Sequence, residues 1–527
     1  MMRKIITILL TLLILLPPLT MITSGEKNQN DENSGLRDSP WPTPQHDVRR
    51  TGKSPYGKDG CTGMLKWKAP LTNWATSDPV IDKDGTIYVG AWGGLYAIYP
   101  NGTVKWKMEI GCDGISIGRD GTLYVVWSCY LRAISPDGEI KWTVRMGSDK
   151  MYGSPIIDKD GIIYVGTTSW GVAKFAAVYP NGTIKWIINA SYTNGDFSPP
   201  AIYGDTIYVK EAYYDTGKCY LCAIYRDNGT VKWKKYIGYA RTAVAPPSIA
   251  EDGTIYAVAR GTLAAFYPNG TLKWKKYLDY SSYSAPAIDD NGNIYVATSG
   301  NNESWSGSYI YAFDPNGILL WKHHCYGAYG SLVIDKNGII YGAGTHGLYA
   351  FNLNGTLKWV YKLNGKLWFT PAIGEDGTIY ATGGSLYAIE PRDAADLRLT
   401  GIYHGLTYGC VRVKVKNAGC EPAYNVTCTA VFSFYNWRED KTETKRFTTI
   451  VPEIDVNEEI VVDIKGVHLN PLIYNPFDSE ISQIKVEAEN ANHDIMYEGG
   501  SFVEAPVIFK LVCVGGFDVW LKYGSGW

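Results

Sequence analysis

The sequence predicts an all-β protein: an eight-bladed β-propeller of four-stranded blades, closed by an N-terminal strand and followed by a β-sandwich. Three observations carry that expectation. One short pattern recurs eight times between about Thr62 and Arg392: a Pro and Ile segment, Asp-Gly, an Ile-Tyr-Val run, a Leu-Tyr-Ala-Ile run, Asn-Gly-Thr and Lys-Trp. The units open at Ser77, Gly114, Ser154, Ser198, Ala245, Ser284, Gly330 and Phe369, a spacing of roughly 40 residues that suits a four-stranded blade. The 527 residues include 40 Tyr, 18 Trp and 57 Gly, which favours short strands, aromatic packing and tight turns over helices.

The unit beginning at Ser77 shows how each element arises. Val80-Ile81 is a short strand, Asp82-Lys83-Asp84-Gly85 reverses it, Ile87-Tyr88-Val89 is the second strand and Leu95 to Ile98 the third. Pro100-Asn101-Gly102 then turns into the fourth, Thr103 to Trp106. Asn-Gly and Asp-Gly supply the positive φ that tight hairpins demand. Strands apolar on both faces need neighbours on both sides, which radial packing of blades provides. Tyr88, Tyr124, Tyr164, Tyr208, Tyr256, Tyr295, Tyr341 and Tyr380 recur at one position. So do Trp106, Trp142, Trp186, Trp233, Trp274, Trp321 and Trp359. The eighth unit stops at Glu390-Pro391-Arg392 without its Trp, and the missing copy stands at the front as Met64-Leu65-Lys66-Trp67. A front strand completing the last blade closes the ring and removes a free sheet edge.

Residues 1–24 read as an export signal, cleaved or kept as an anchor: Arg3 and Lys4, an apolar run from Ile5 to Leu16, Pro17-Pro18, then the small residues Thr23 to Gly25. A polar linker covers 25–40 and the propeller 41–394. Short alternating strands over 395–510 suit an immunoglobulin-like sandwich, and an apolar, Gly-interrupted tail covers 511–527. The formal charge of −2 with no basic cluster argues against nucleic acid. An extracellular or cell-surface location follows, with membrane contact only through the N-terminal segment. Ten Cys in an exported chain are expected to be largely paired by disulfides. Cys219-x-x-Cys222 has the spacing of half a zinc knuckle or a redox pair, but no second half follows, so bridging or spare thiols are preferred to metal.

The repeats resemble the pyrroloquinoline-quinone-type (PQQ-like) β-propellers. That family's repeat ends Ala-x-Asp-x-x-Thr-Gly-x-x-x-Trp; Ala223 to Trp233 keeps this length, and Ala97 to Trp106 and most others are one residue shorter. Trp41-Pro42-Thr43-Pro44-Gln45-His46-Asp47 with Thr51-Gly52 is similar to the segment that enters these propellers. The resemblance spans about 41–392. It implies the fold more than the chemistry, because the same propeller serves quinone-dependent dehydrogenases and non-catalytic scaffolds such as outer-membrane assembly proteins. Val411 to Thr427 is similar to adhesion-type sandwich modules of prokaryotic surface proteins.

Links between blades and loops between second and third strands gather on one face, and the Asp-Gly and Asn-Gly hairpins on the other. The first face is loaded with aromatics: Trp74, Trp92, Trp127, Trp170, Tyr213, Tyr214, Trp305, Tyr326, Tyr329 and Trp368. Such rings stack on sugars, quinones or partner side chains, or wedge between blades. For a quinone enzyme the resemblance implies an adjacent Cys-Cys bridge, a Trp above the quinone, calcium ligands and an Asp base; no Cys-Cys dipeptide exists here. Asp82-x-Asp84-Gly85, Asp158-x-Asp160-Gly161 and Asp335-x-Asn337-Gly338 read as turns rather than calcium loops, since each enters a strand at once. The seven His are scattered and no Gly-x-Ser-x-Gly elbow occurs. Sequons at Asn101, Asn181, Asn189, Asn228, Asn269, Asn302, Asn354 and Asn425 are acceptors wherever the host glycosylates. The expectation is an exported non-catalytic scaffold that binds a protein or glycan through its aromatic loops, with no cofactor and no metal. The alternative is a quinone-dependent dehydrogenase-like enzyme using PQQ and calcium.

Overall fold

The computed structural model describes residues 34–498, apart from 147–149, 152, 170, 192–193, 241–244, 300–307, 326–329, 364–365, 394, 405–409, 418–422, 437–440, 456–458, 466–479, 488–490 and 493. The signal segment 1–24 and the tail 511–527 lie outside the described residues. Eight four-stranded blades stand in a ring. Blade 1 is formed by Val80–Ile81, Ile87–Ala91, Gly94–Ile98 and Val104–Met108, hydrogen-bonded in that order from the axis outwards. Blades 2 to 7 repeat the plan over 114–145, 156–189, 201–239, 248–282, 287–325 and 333–362. In blade 5 the second and third strands form one element, Ile255–Phe266, turning at Arg260 with φ 51°. Blade 4 is widened by Gly195–Phe197, which pairs with its second strand Thr206–Tyr213, and by Thr168–Ser169, which pairs with Gly195–Phe197.

Blade 8 takes three strands from 372–392 and its outermost strand from the front of the chain. Thr62–Pro70 runs antiparallel to Ser385–Arg392, with Trp67 opposite Ala388 and a bulge between Leu65 and Trp67. The ring is therefore closed by residues more than 300 positions apart: the Lys58 ammonium bonds the Glu390 carboxylate across a separation of 332 residues.

The recurring Tyr and Trp hold blades to one another. In every blade the second-strand Tyr meets its own outer-strand Trp, with ring centroids 5.7–5.9 Å apart. Seven of these Trp reach the next blade and donate the indole N–H to a carbonyl in its Asn-Gly-type hairpin at 2.7–3.1 Å, as Trp67 does to Pro100 and Trp106 to Pro136. The hairpin Gly gives the ring room: a Cβ on Gly102, which sits at φ +86°, would lie 2.7 Å from Trp67. Trp359 is the exception. Its neighbour is the entering strand, which has no such hairpin, so the buried ring lies against Gly63 and its Nε1 has no partner.

Beyond Arg392 the chain forms two four-stranded sheets. One pairs Ala395–His404 with Cys410–Asn417 and Glu459–Lys465; the other centres on Ala423–Asn436, paired with Lys441–Ile454 and Glu480–Glu487.

Candidate functional site: the axis and the loop face

Residues 34–58 lie inside the ring and touch every blade. Homologous isoleucines at the ends of six innermost strands (Ile81, Ile117, Ile202, Ile249, Ile288, Ile334) donate their N–H to the carbonyls of Trp41, Pro42, Val48, Arg49, Thr51 and Gly52, all at 2.8–2.9 Å. Gly35 N–H bonds Ile157 of blade 3, and Lys58 packs on Gly377 of blade 8. The contacts of Arg37 with Asp82 and of Lys53 with Asp290 put the segment on the hairpin side of the axis. Ser34, inside the stretch expected to be linker, is already docked, bridging to Asp158 of blade 3.

Arg50 projects from this segment along the axis and is fully buried. Its guanidinium donates to Pro200 O at 3.1 Å, Pro44 O at 2.7 Å, Thr43 Oγ1 at 3.2 Å, Ser154 O at 3.0 Å and Pro155 O at 3.4 Å, tying the segment to blades 3 and 4. Five donors in a fixed fork suit one Arg for several carbonyls. Burial pushes its pKa down to about 10, with Asp78 pulling the other way. Asp78 begins blade 1 and accepts the Thr370 N–H of blade 8 at 2.6 Å. Burial pushes this carboxyl up to about 6, opposed by the Thr370 bonds and by Arg50.

A carboxyl raised above its unfolded value of roughly 3.9 stabilises the fold through its neutral form. That stability is present below the unfolded pKa and lost as pH rises through about 6. Asp78→Asn keeps a carbonyl for the Thr370 N–H and cannot ionise. The melting temperature of the variant relative to the parent is expected to rise between pH 4 and pH 7; a difference that shrinks over that window overturns the assignment.

On the loop face, Trp74 and Trp92 stand 52% and 74% exposed, the Trp92 N–H bonded to the Trp74 carbonyl at 3.1 Å. The adjoining residue Ala75 donates to Gly383 O of blade 8, beside the loop of Trp368, whose ring carries Lys366 Nζ at 5.2 Å. Trp127, Tyr214 and Trp368 are half-buried. Trp127 lies flat on the link between blades 1 and 2, where a Cβ on Gly111 would meet the indole. Tyr214 bonds Thr168 through its hydroxyl at 2.5 Å. Trp170, Trp305, Tyr326 and Tyr329 lie outside the described residues.

Tyr213 is buried rather than displayed. The added strands of blade 4 cover it, and its hydroxyl donates to Glu211, which also holds Lys234 and accepts the Ser191 N–H at 2.8 Å. This internal network was missed from sequence; its signal was Lys210-Glu211, two charges where the other second strands are apolar.

The cysteine expectation needs correcting. Cys61 is disulfide-bonded, but Cys112, Cys129, Cys219, Cys222, Cys325 and Cys428 are buried thiols outside any disulfide. Cys219 and Cys222 fall on opposite faces of the strand Lys218–Tyr225, as i and i+3 must. Cys219 faces the core shared with blade 5, and Cys222 faces that shared with blade 3. Burial raises both thiols, Cys219 to about 11, so neither is a thiolate ready for metal or exchange. The chain supplies no vicinal Cys pair, and no group of three His, Cys, Asp or Glu among the described residues can hold a metal.

A family model described as outer membrane protein assembly factor BamB matches residues 93–306. Among solved structures, BamB from Moraxella catarrhalis aligns with 62% of this chain and 96% of its own at 17% identity and a TM-score of 0.44. The Pan2 WD40 domain of Neurospora crassa aligns with 64% of this chain and 98% of its own at 10% identity and a TM-score of 0.40. The Dos1 propeller aligns with 63% and 95% at 10% identity and a TM-score of 0.42. No curated protein matches the chain.

Proposed function

We propose that the protein is an exported, non-catalytic scaffold that presents the loop face of its propeller to a protein partner at the cell surface, with an immunoglobulin-like sandwich as spacer or second contact. The observation that carries this reading is the Trp74–Trp92 pair. Two neighbouring indoles more than half exposed leave large apolar area in water, the kind of feature that marks an interaction site, and buried Trp anchors supply much of the energy of protein interfaces. The family model's description as an assembly factor supports a protein over a glycan as partner. The raised thiols and the absence of a vicinal Cys pair favour binding over redox chemistry.

The test is an array of surface proteins and glycans probed with the mature chain and with a Trp74→Ala/Trp92→Ala variant. Protein hits are expected to weaken at least about tenfold, since each anchor contributes roughly 2 kcal/mol, while the melting temperature stays near that of the parent. Hits that survive the double substitution, or glycan hits alone, overturn the assignment.

A further inference from the structure

Five sequons occupy one structural position. Asn101, Asn181, Asn228, Asn269 and Asn354 all stand at the tip of the hairpin joining third and fourth strands, in blades 1, 3, 4, 5 and 7, and all are exposed. Each side-chain Oδ1 accepts the N–H of the sequon Thr at 2.9–3.0 Å. In three of them it also accepts the Thr hydroxyl at 2.7 Å. The acceptor Nδ2 of each makes no hydrogen bond.

These tips share a second feature. At the neck of the hairpin, the residue whose N–H bonds the carbonyl of the sequon Thr is Tyr99, Tyr179, Tyr225 or Tyr267 in blades 1, 3, 4 and 5. The four rings are 41–43% exposed. Lys105, Lys232 and Lys273 lie over three of them at 5.9, 4.1 and 5.6 Å. In the two hairpins that lack a sequon the same neck position is Ser135 and Asp314. A Tyr required by the hairpin itself would serve all seven turns equally. Instead it accompanies four of the five acceptors and neither of the others, Asn352 taking its place in blade 7.

We propose that the chain carries N-linked oligosaccharides at Asn101, Asn181, Asn228 and Asn269, the first sugar of each lying on the neighbouring Tyr ring, with Asn354 a fifth acceptor that has no ring. The electron-rich face of an aromatic ring attracts the positively polarised C–H face of a pyranose, and the Lys beside it offers donors to sugar hydroxyls. The donor is an oligosaccharide linked through C1 to a polyprenyl phosphate or diphosphate. The C1–O bond to phosphorus breaks, a C1–Nδ2 bond forms, and the amide proton leaves with the phosphate; nothing is oxidised or reduced. The sugars at these five tips project from the hairpin face, the side opposite the Trp74 and Trp92 loops.

The experiment is glycopeptide mapping of the full chain purified from its native source, with the same chain made in a non-glycosylating bacterium as the unmodified reference. A glycan mass is expected on all four asparagines, and Thr183→Ala is expected to lose one increment, at Asn181. Replacing the four Tyr by Ser is expected to lower the melting temperature of the glycosylated chain more than that of the reference. Unmodified asparagines at all four tips overturn the proposal. Modified asparagines with equal Tyr→Ser effects in both forms overturn the role of the rings. Neither result bears on the Trp74–Trp92 reading, which the array tests separately.

Discussion

Trp67→Ala is expected to unfold at a much lower denaturant concentration than the parent, a loss of about 3–5 kcal/mol, and to release oligomers on size-exclusion chromatography. The substitution strikes the seam where the two ends of the propeller meet. The indole packs on Tyr380 of blade 8, covers Gly102 of blade 1 and bonds Pro100 O at 2.7 Å. Its removal leaves a cavity on both sides of the seam and loosens Thr62–Pro70 from Ser385–Arg392, whose exposed edge then invites pairing with other chains. Trp359→Phe is the control. That indole is equally part of the Tyr–Trp series, but its N–H has no partner, so losing it removes an unmet donor and the cost is expected to stay within about 1 kcal/mol. Equal losses in the two variants would mean that the seam is no more fragile than any other joint.

Arg50→Met is expected to cost about 3–5 kcal/mol at neutral pH. Methionine fills part of the volume but abandons the carbonyls of Pro44, Ser154, Pro155 and Pro200 in a dry interior. It also strips Asp78 of its nearest cation, driving that carboxyl further up. Adding Asp78→Asn should therefore return part of the loss above pH 7 and little of it near pH 4. Urea unfolding of the two single variants and the double variant at both pH values reads this coupling. A loss for Arg50→Met below about 1 kcal/mol, or additivity at both pH values, would show that the axis is held by backbone pairing alone.

Periodic features were legible in the sequence because repetition multiplies a weak signal. One Asn-Gly or one Tyr says little, but eight Tyr and the recurring hairpin turns in register place the four strands of each blade, and the displaced Trp67 reveals the closing strand. The axial segment was legible only as a likeness around Trp41, because its contacts run through the carbonyls of Trp41, Pro42, Val48, Arg49, Thr51 and Gly52, which any residue would supply. The cysteine pairing failed for a different reason. Counting Cys takes no account of strand faces, and alternation sends Cys219 and Cys222 into separate cores. Of the aromatic loop set, Trp74 and Trp92 stand where expected, in the open. The burial of Tyr213 was missed because the strands added beside it, Thr168–Ser169 and Gly195–Phe197, are too short to leave a pattern, and the charges Lys210-Glu211 were its one trace.

Residues 34–70 are made before the eight repeat units, supply both hub and clasp, and have no complete seat until the last blade has been made. Glu390 meets Lys58, and Thr370 meets Asp78, only after the last repeat unit has been made. Contacts of such sequence separation form late and slowly, so a growing chain stays unlocked for the whole time it takes to produce. The wheel is fastened only once its last blade exists.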